Sequence, residues 1–163
     1  MSFAYLTATP GLSYNYSLYA IPAGWLIAMV PLWWAAPIAN KVSKGSYDNA
    51  NPKDSWANID SKPIPLQLKG RIKRAIAAEN NTHTNLPLFA AALVAANAAH
   101  VDTSSLHFYA GLWLISRIAY TFAYIFIEDR KKSAIRSALF GVGVLSVFAL
   151  VIKAANKYSS VPW

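Results

Sequence analysis

Apolar residues along this chain gather in four long segments that polar connections separate. The segments cover about residues 17–39, 68–100, 105–127 and 133–155. An α-helix needs roughly 20 mostly apolar residues to cross a bilayer, and each segment is long enough. The pattern therefore predicts an all-α fold, an integral membrane bundle of four helices, formed as a single domain over residues 1–163.

The three connections differ in length. The first, 40–67, is a polar loop, whereas 101–104 and 128–132 are short. Short connections between helices favour antiparallel neighbours, so the last three segments should pack side by side in alternating directions.

The first segment contains no charged residue but three prolines, Pro22, Pro31 and Pro37. Proline removes a backbone donor, so these residues should kink the helix or shorten its regular part. The N-terminus lacks the basic region of a cleaved signal peptide, and the first span is therefore expected to act as its own uncleaved signal.

Composition agrees with a membrane protein. The chain is 55% hydrophobic and only 13% charged, about half the charged share of a typical soluble protein. It has no cysteine, and its three scattered histidines give no metal-ligand spacing, so no metal site is predicted.

Charge placement predicts the topology. The net charge is +8, and most lysines and arginines lie in the first loop, at the start of the second segment and around 130–136. Cytosolic loops carry such an excess, so both basic connections should be cytosolic and both termini lumenal. This bias explains the charge without a nucleic-acid partner.

The third segment contains an arginine at membrane depth. Arg117, Tyr120 and Tyr124 follow the spacing i, i+3 and i+7, which places them on one helical face. A guanidinium in a bilayer is costly, and such residues mark functional sites by default. The alternative is a structural arginine held by neighbouring carbonyls.

The second segment is expected to face that arginine. At about 1.5 Å per residue, Arg117 lies level with His83–Pro87. Pro87 frees the His83 carbonyl, which could accept a hydrogen bond from Arg117. Arg74, Asn81 and Asn85 share a face, so the polar half of this helix should be a buried wall.

Arg136 and Ser137 begin the fourth segment. An arginine near a helix N-terminus combines its charge with the helix dipole, which suits an anion or a thiolate. The charge pattern alone equally allows a flanking cation, like Lys131 and Lys132.

These residues resemble a known signature. In the membrane-associated proteins in eicosanoid and glutathione metabolism, the MAPEG family, the second segment reads approximately R-x-x-R-A-x-x-N-x-x-E followed by P-x-F. The third reads R-x-x-[H/Y]-x-x-x-Y, and an arginine-serine step opens the fourth. The matching residues are Arg74, Ala78, Asn81, Pro87, Phe89, Arg117, Tyr120, Tyr124, Arg136 and Ser137.

Two positions depart from the signature. Ala77 stands at its second arginine and Thr84 at its glutamate. A register shifted by one residue would place Asn80 and His83 at the asparagine and glutamate positions. Glu79 lies about one turn nearer the cytosol and is expected to compensate partly for the missing carboxylate.

The resemblance implies a homotrimer in the lipid bilayer of the endoplasmic reticulum, with active sites at subunit interfaces. It implies glutathione-dependent transfer or peroxide reduction on a lipophilic substrate. In that interpretation Arg136 stabilises the glutathione thiolate and Ser137 donates to it. The remaining residues bind glutathione: Arg74, Glu79, Asn81, Arg117, Tyr120 and Tyr124.

Two other functions stay open. One is a glutathione-independent isomerase or cyclase of a lipophilic metabolite, and the other is a non-catalytic lipid-binding scaffold. The departures at Ala77 and Thr84 favour these, whereas Arg136 argues against the scaffold.

Overall fold

The computed structural model of this protein describes residues 14–160. Within that range it has four long helices and one short helix, and it contains no strand. In chain order they are α1 (Ala20–Val42), α2 (Pro52–Ala57), α3 (Leu66–Ala98), α4 (Thr103–Phe126) and α5 (Ser133–Ser159). The predicted all-α class is confirmed, and each long helix lies within four residues of its predicted bounds. The two termini, whose lumenal placement was predicted, lie at 1–13 and 161–163, outside the described residues.

The helix α1 is not shortened by its prolines as predicted. It runs without interruption through Pro31 and Pro37, with Pro22 in its first turn, where the missing N–H needs no helical acceptor. A stripe of small residues, including Ala28, Ala35 and Ala39, is fully buried. Small side chains let helix backbones approach closely, and this packing stabilises α1 despite its two lost hydrogen bonds.

Two apolar clusters hold the bundle together. At the end where α3 meets α4, the rings of Phe89 and Trp113 stack in parallel at 4.0 Å, against Leu93 and Leu150. Gly24 of α1 allows this, because a Cβ there would lie 2.8 Å from the Trp113 ring. The second cluster lies at the opposite, basic end of the bundle.

The predicted first loop is not a simple solvated connection. It contains α2, and its residues Ile59 and Ile64 are buried in the second cluster against Ala35, Ala39 and Ile72. The loop therefore packs across the basic end of the bundle and joins α1 to α3 there.

The outer surface is that of a membrane protein. Large apolar side chains such as Trp33, Phe122 and Phe148 are about half exposed or more. Extensive exposed apolar surface marks contact with a membrane or another protein. Two helical stretches, Ser17–Val42 and Ser133–Ser159, are long and apolar enough by themselves to cross a membrane. That α3 and α4 also cross stays a prediction.

Candidate functional site

Arg117 lies in the interior of the bundle. Its side chain is fully buried, and its Nη2 donates to the Phe140 carbonyl of α5 at 2.9 Å. The guanidinium carbon also lies 4.7 Å from the Phe140 ring centroid and 5.4 Å from that of Tyr120. Such stacking partly replaces the water that a buried cation loses. The predicted acceptor, the His83 carbonyl, was wrong because the side chain points towards α5 and not α3.

Gly143 explains why Arg117 can point towards α5. A Cβ at this position would overlap the Arg117 guanidinium, lying 2.9 Å from its Cζ, and would crowd Ser116 Oγ at 2.8 Å. Neither Gly143 nor Phe140 is among the residues predicted from the sequence. A glycine inside an apolar span is a signal of close helix approach, and it could have pointed to α5 as the partner of Arg117.

Tyr120 connects three helices. Its hydroxyl accepts a hydrogen bond from Asn81 Nδ2 of α3 at 2.8 Å. Its ring centroid lies 5.3 Å from that of Tyr124 and 5.8 Å from that of Phe140 on α5. Because Tyr120 is buried and held from both sides, its orientation is fixed by α3 and α5 together.

A cleft of about 320 Å³ opens beside Tyr120, between α4 and the start of α5. It is lined by Tyr120, Tyr124, Ser133, Arg136, Ser137 and Phe140. The structure therefore brings four of the predicted site residues to one cleft, two from each helix.

Arg136 is the cation of this cleft. Its guanidinium carbon lies 4.8 Å from the centroid of the Tyr124 ring, and no carboxylate among the described residues lies within ion-pair distance of it. It stands in the first turn of α5, at the positive end of the helix dipole. The cleft thus has the electrostatics of an anion site.

Arg74 lies outside this cleft. Its Nε donates to the Ile125 carbonyl at 3.0 Å, and its Nη2 pairs with Glu128 at 2.6 Å. It therefore closes the basic end of the α3–α4 contact, about two turns of α3 away from Asn81.

Glu79 also lies apart from the other predicted residues. Its carboxylate pairs with His83 Nδ1 at 2.8 Å, one turn further along α3. Residues two positions apart on a helix do not share a face, so Glu79 and Asn81 point to different flanks of α3. Within the described chain the Glu79 carboxylate contacts His83 and not Arg117, so the compensation expected of Glu79 stays a prediction.

The chain matches a known family over most of its length. Residues 19–156 match the family model described as the MAPEG family. The matched range includes every residue that lines the cleft between α4 and α5. No curated protein matches the chain.

Proposed function

The chain belongs to the MAPEG family, and on that premise we propose that it is a membrane-bound, glutathione-dependent transferase or peroxidase. Its substrates are lipophilic electrophiles, and the reactive group is a glutathione thiolate held by Arg136. The observation that carries the proposal is the cleft between α4 and α5, where an arginine shares the lining with two tyrosines and two serines and has no carboxylate partner within residues 14–160.

The chemistry required of the cleft is ionisation of a thiol. A free thiol has a pKa of about 8.5, and a neighbouring cation at a helix N-terminus lowers it. Arg136 and the first turn of α5 would supply both contributions, and the proposed donor to the sulfur is the hydroxyl of Ser137, which lines the same cleft. Fixed donors of this kind stabilise the anion without reorganisation during the reaction.

The remaining glutathione contacts are proposed for Asn81, Tyr120, Tyr124 and Arg74. Since Tyr120 and Asn81 are already hydrogen-bonded to each other, we expect them to form a rigid wall beside the thiol. At Arg74, a glutathione carboxylate would have to replace Glu128. Arg117 is fully buried, so its proposed role is to position the rings of Tyr120 and Phe140 beside the cleft.

The proposed assembly is a homotrimer in the endoplasmic reticulum membrane, with the basic loops in the cytosol. In a trimer, a neighbouring subunit could bring a flank of α3, with Glu79, towards the cleft of the next. Cysteine labelling can test the topology at Ala50, which is exposed; Ser55 in the same loop is buried and hydrogen-bonded to the backbone.

A glutathione-independent isomerase is the second candidate. Two observations favour it, because Arg74 and Glu79 are both already paired within the chain, with Glu128 and His83 respectively. An enzyme that does not bind the charged ends of a tripeptide has no need to release these pairs.

The test is titration of the purified protein with glutathione, combined with the ultraviolet absorbance of the thiolate as pH is varied. Arg136→Ala should raise the pKa of the bound thiol and lower kcat/KM by roughly 100-fold, the effect of removing one anion-stabilising donor. Lys131→Ala, which removes an exposed cation from the same connection, is the control and should change neither. If wild-type protein shows neither glutathione binding nor a thiolate signal, the isomerase becomes the leading function.

A further inference from the structure

A second polar cleft, of about 400 Å³, lies at the basic end of the bundle. The first two turns of α3 form one wall, Asp60 of the preceding loop another, and Glu128 after α4 the third. This cleft shares no lining residue with the cleft between α4 and α5.

On the loop side of this cleft, two lysines meet one carboxylate. Lys73 Nζ pairs with the carboxylate of Asp60. Lys69 Nζ instead donates to the backbone carbonyl of Asp60, at 2.6 Å. A carbonyl accepts a hydrogen bond but carries no full negative charge, so Lys69 has no carboxylate counter-ion within residues 14–160.

On the opposite side, two arginines share one carboxylate. Arg74 Nη2 lies 2.6 Å from Glu128 Oε1, and Arg71 Nε lies 3.9 Å from the same oxygen. The three cations that line the cleft, Lys69, Lys73 and Arg74, face two carboxylates, which leaves an excess of one positive charge. Arg71 adds a fourth cation just outside the lining.

The backbone adds to this positive field. The cleft lies at the N-terminus of α3, a helix of 33 residues whose N-cap, Pro65, supplies no side-chain acceptor. The first amides of the helix, at Leu66 and Gln67, have no acceptor within the helix, and they carry the positive end of its dipole.

Two apolar side chains indicate that the cleft lies at the membrane boundary. Leu66, at its rim, is 85% exposed, although it is a large apolar residue at the start of a helix. Arg71 lies over the ring of Phe126 at 5.8 Å, with Phe126 itself more than half exposed near the end of α4. Cationic heads beside exposed apolar side chains suit the layer where lipid headgroups meet acyl chains.

We propose that this cleft binds the phosphate headgroup of an anionic membrane lipid. The phosphate pairs with Lys69 and with Lys73 and faces the first amides of α3, while the part of the lipid's acyl chain next to the headgroup lies on Leu66. Neither lysine is among the proposed glutathione contacts, although Arg74, which lines the same cleft, is one of them. The site differs from a general attraction of basic loops to anionic membranes, because it places the phosphate at two particular lysines.

The experiment compares full-length proteins in detergent micelles by native mass spectrometry. Wild-type protein should retain dioleoyl phosphatidic acid at least about tenfold more strongly than dioleoyl phosphatidylcholine, as expected for charge-assisted hydrogen bonds. Lys69→Gln combined with Lys73→Gln should abolish that preference. The control, Lys41→Gln with Lys44→Gln, removes two exposed charges from the same end of the bundle but outside the cleft and should retain it.

Three results would overturn the proposal: no lipid preference in the wild type, equal loss in both double variants, or full retention in the Lys69 and Lys73 variant. A competition with glycerol 3-phosphate distinguishes a lipid ligand from a soluble one. If this soluble ester displaces phosphatidic acid at an equal concentration, the ligand of the cleft is a soluble phosphate and the lipid proposal is wrong. Size-exclusion elution identical to that of the wild type confirms that each variant is folded.

Discussion

The two flanks of α4 lie in the same bundle but have different surroundings, one polar and one apolar. Towards α5, the helix presents Arg117, Tyr120 and Tyr124, whose polar groups face Phe140 and a polar cleft. Towards α1, it presents Ile118 and Phe122 to a groove of about 340 Å³, lined almost wholly by apolar atoms. The only hydroxyl on that apolar flank, within the described chain, is Thr121.

The difference shows where precise packing is needed. Hydrocarbon can fill an apolar groove in many arrangements, so the α1 flank tolerates open space. A buried guanidinium has no such freedom, because each of its donors needs an acceptor or a ring at a fixed position. The α5 flank therefore depends on single residues, whereas the α1 flank depends on general apolar character.

The largest expected effect is at Gly143. Gly143→Ala should lower the free energy of unfolding by about 1–3 kcal/mol, because the new Cβ overlaps the Arg117 guanidinium. Gly141→Ala is the control on the same helix, since its Cβ would meet nothing within 4 Å. The control should be neutral or up to about 1 kcal/mol more stable, from helix propensity alone. Denaturant unfolding in micelles measures both, and equal shifts would show that Gly143 has no special packing role.

A smaller effect is expected from replacing Arg117 itself. Arg117→Met removes two buried donor nitrogens, Nε and Nη1, that have no hydrogen-bond partner among the described residues, so the free energy of unfolding should change little. Turnover should nevertheless fall about tenfold or more, because Tyr120 and Phe140 lose the group that positions them beside the cleft. The control is Ile118→Met on the apolar flank, which should leave both quantities unchanged. A fully active Arg117→Met protein would contradict the positioning role.

The smallest effect is expected at Thr121. Its Oγ1 is buried and has no hydrogen-bond partner in the part of the chain that the structure describes, so Thr121→Val should stabilise the protein by up to about 1 kcal/mol. Thr82→Val is a matched change, but the Thr82 hydroxyl donates to the Ala78 carbonyl at 3.0 Å. That variant should be neutral or slightly less stable. A gain of stability at Thr82 equal to that at Thr121 would show that the unpaired hydroxyl is not the cause.

The helices could be predicted from the sequence, because the ends of long apolar segments lie close to the ends of the helices. The grouping of Arg117, Tyr120 and Tyr124 followed from helical spacing alone. Their partners could not be predicted in this way. Whether Arg117 contacts His83 or Phe140 depends on how α4 is rotated about its axis relative to α3 and α5. That rotation is set by packing against residues of another segment, such as Gly143. The pairing of Arg74 with Glu128, 54 residues later, was missed for the same reason.

The two apolar clusters also differ in when their residues are synthesised. The cluster at the basic end, with Ile59 and Ile64 of the first loop, is complete by Ala75 except for Ile125. The cluster around Trp113 needs α5, which is synthesised last. The α1–α3 hairpin can therefore assemble first during translation. Arg117 is then synthesised before Phe140, so its charge must be tolerated without that partner until α5 is made.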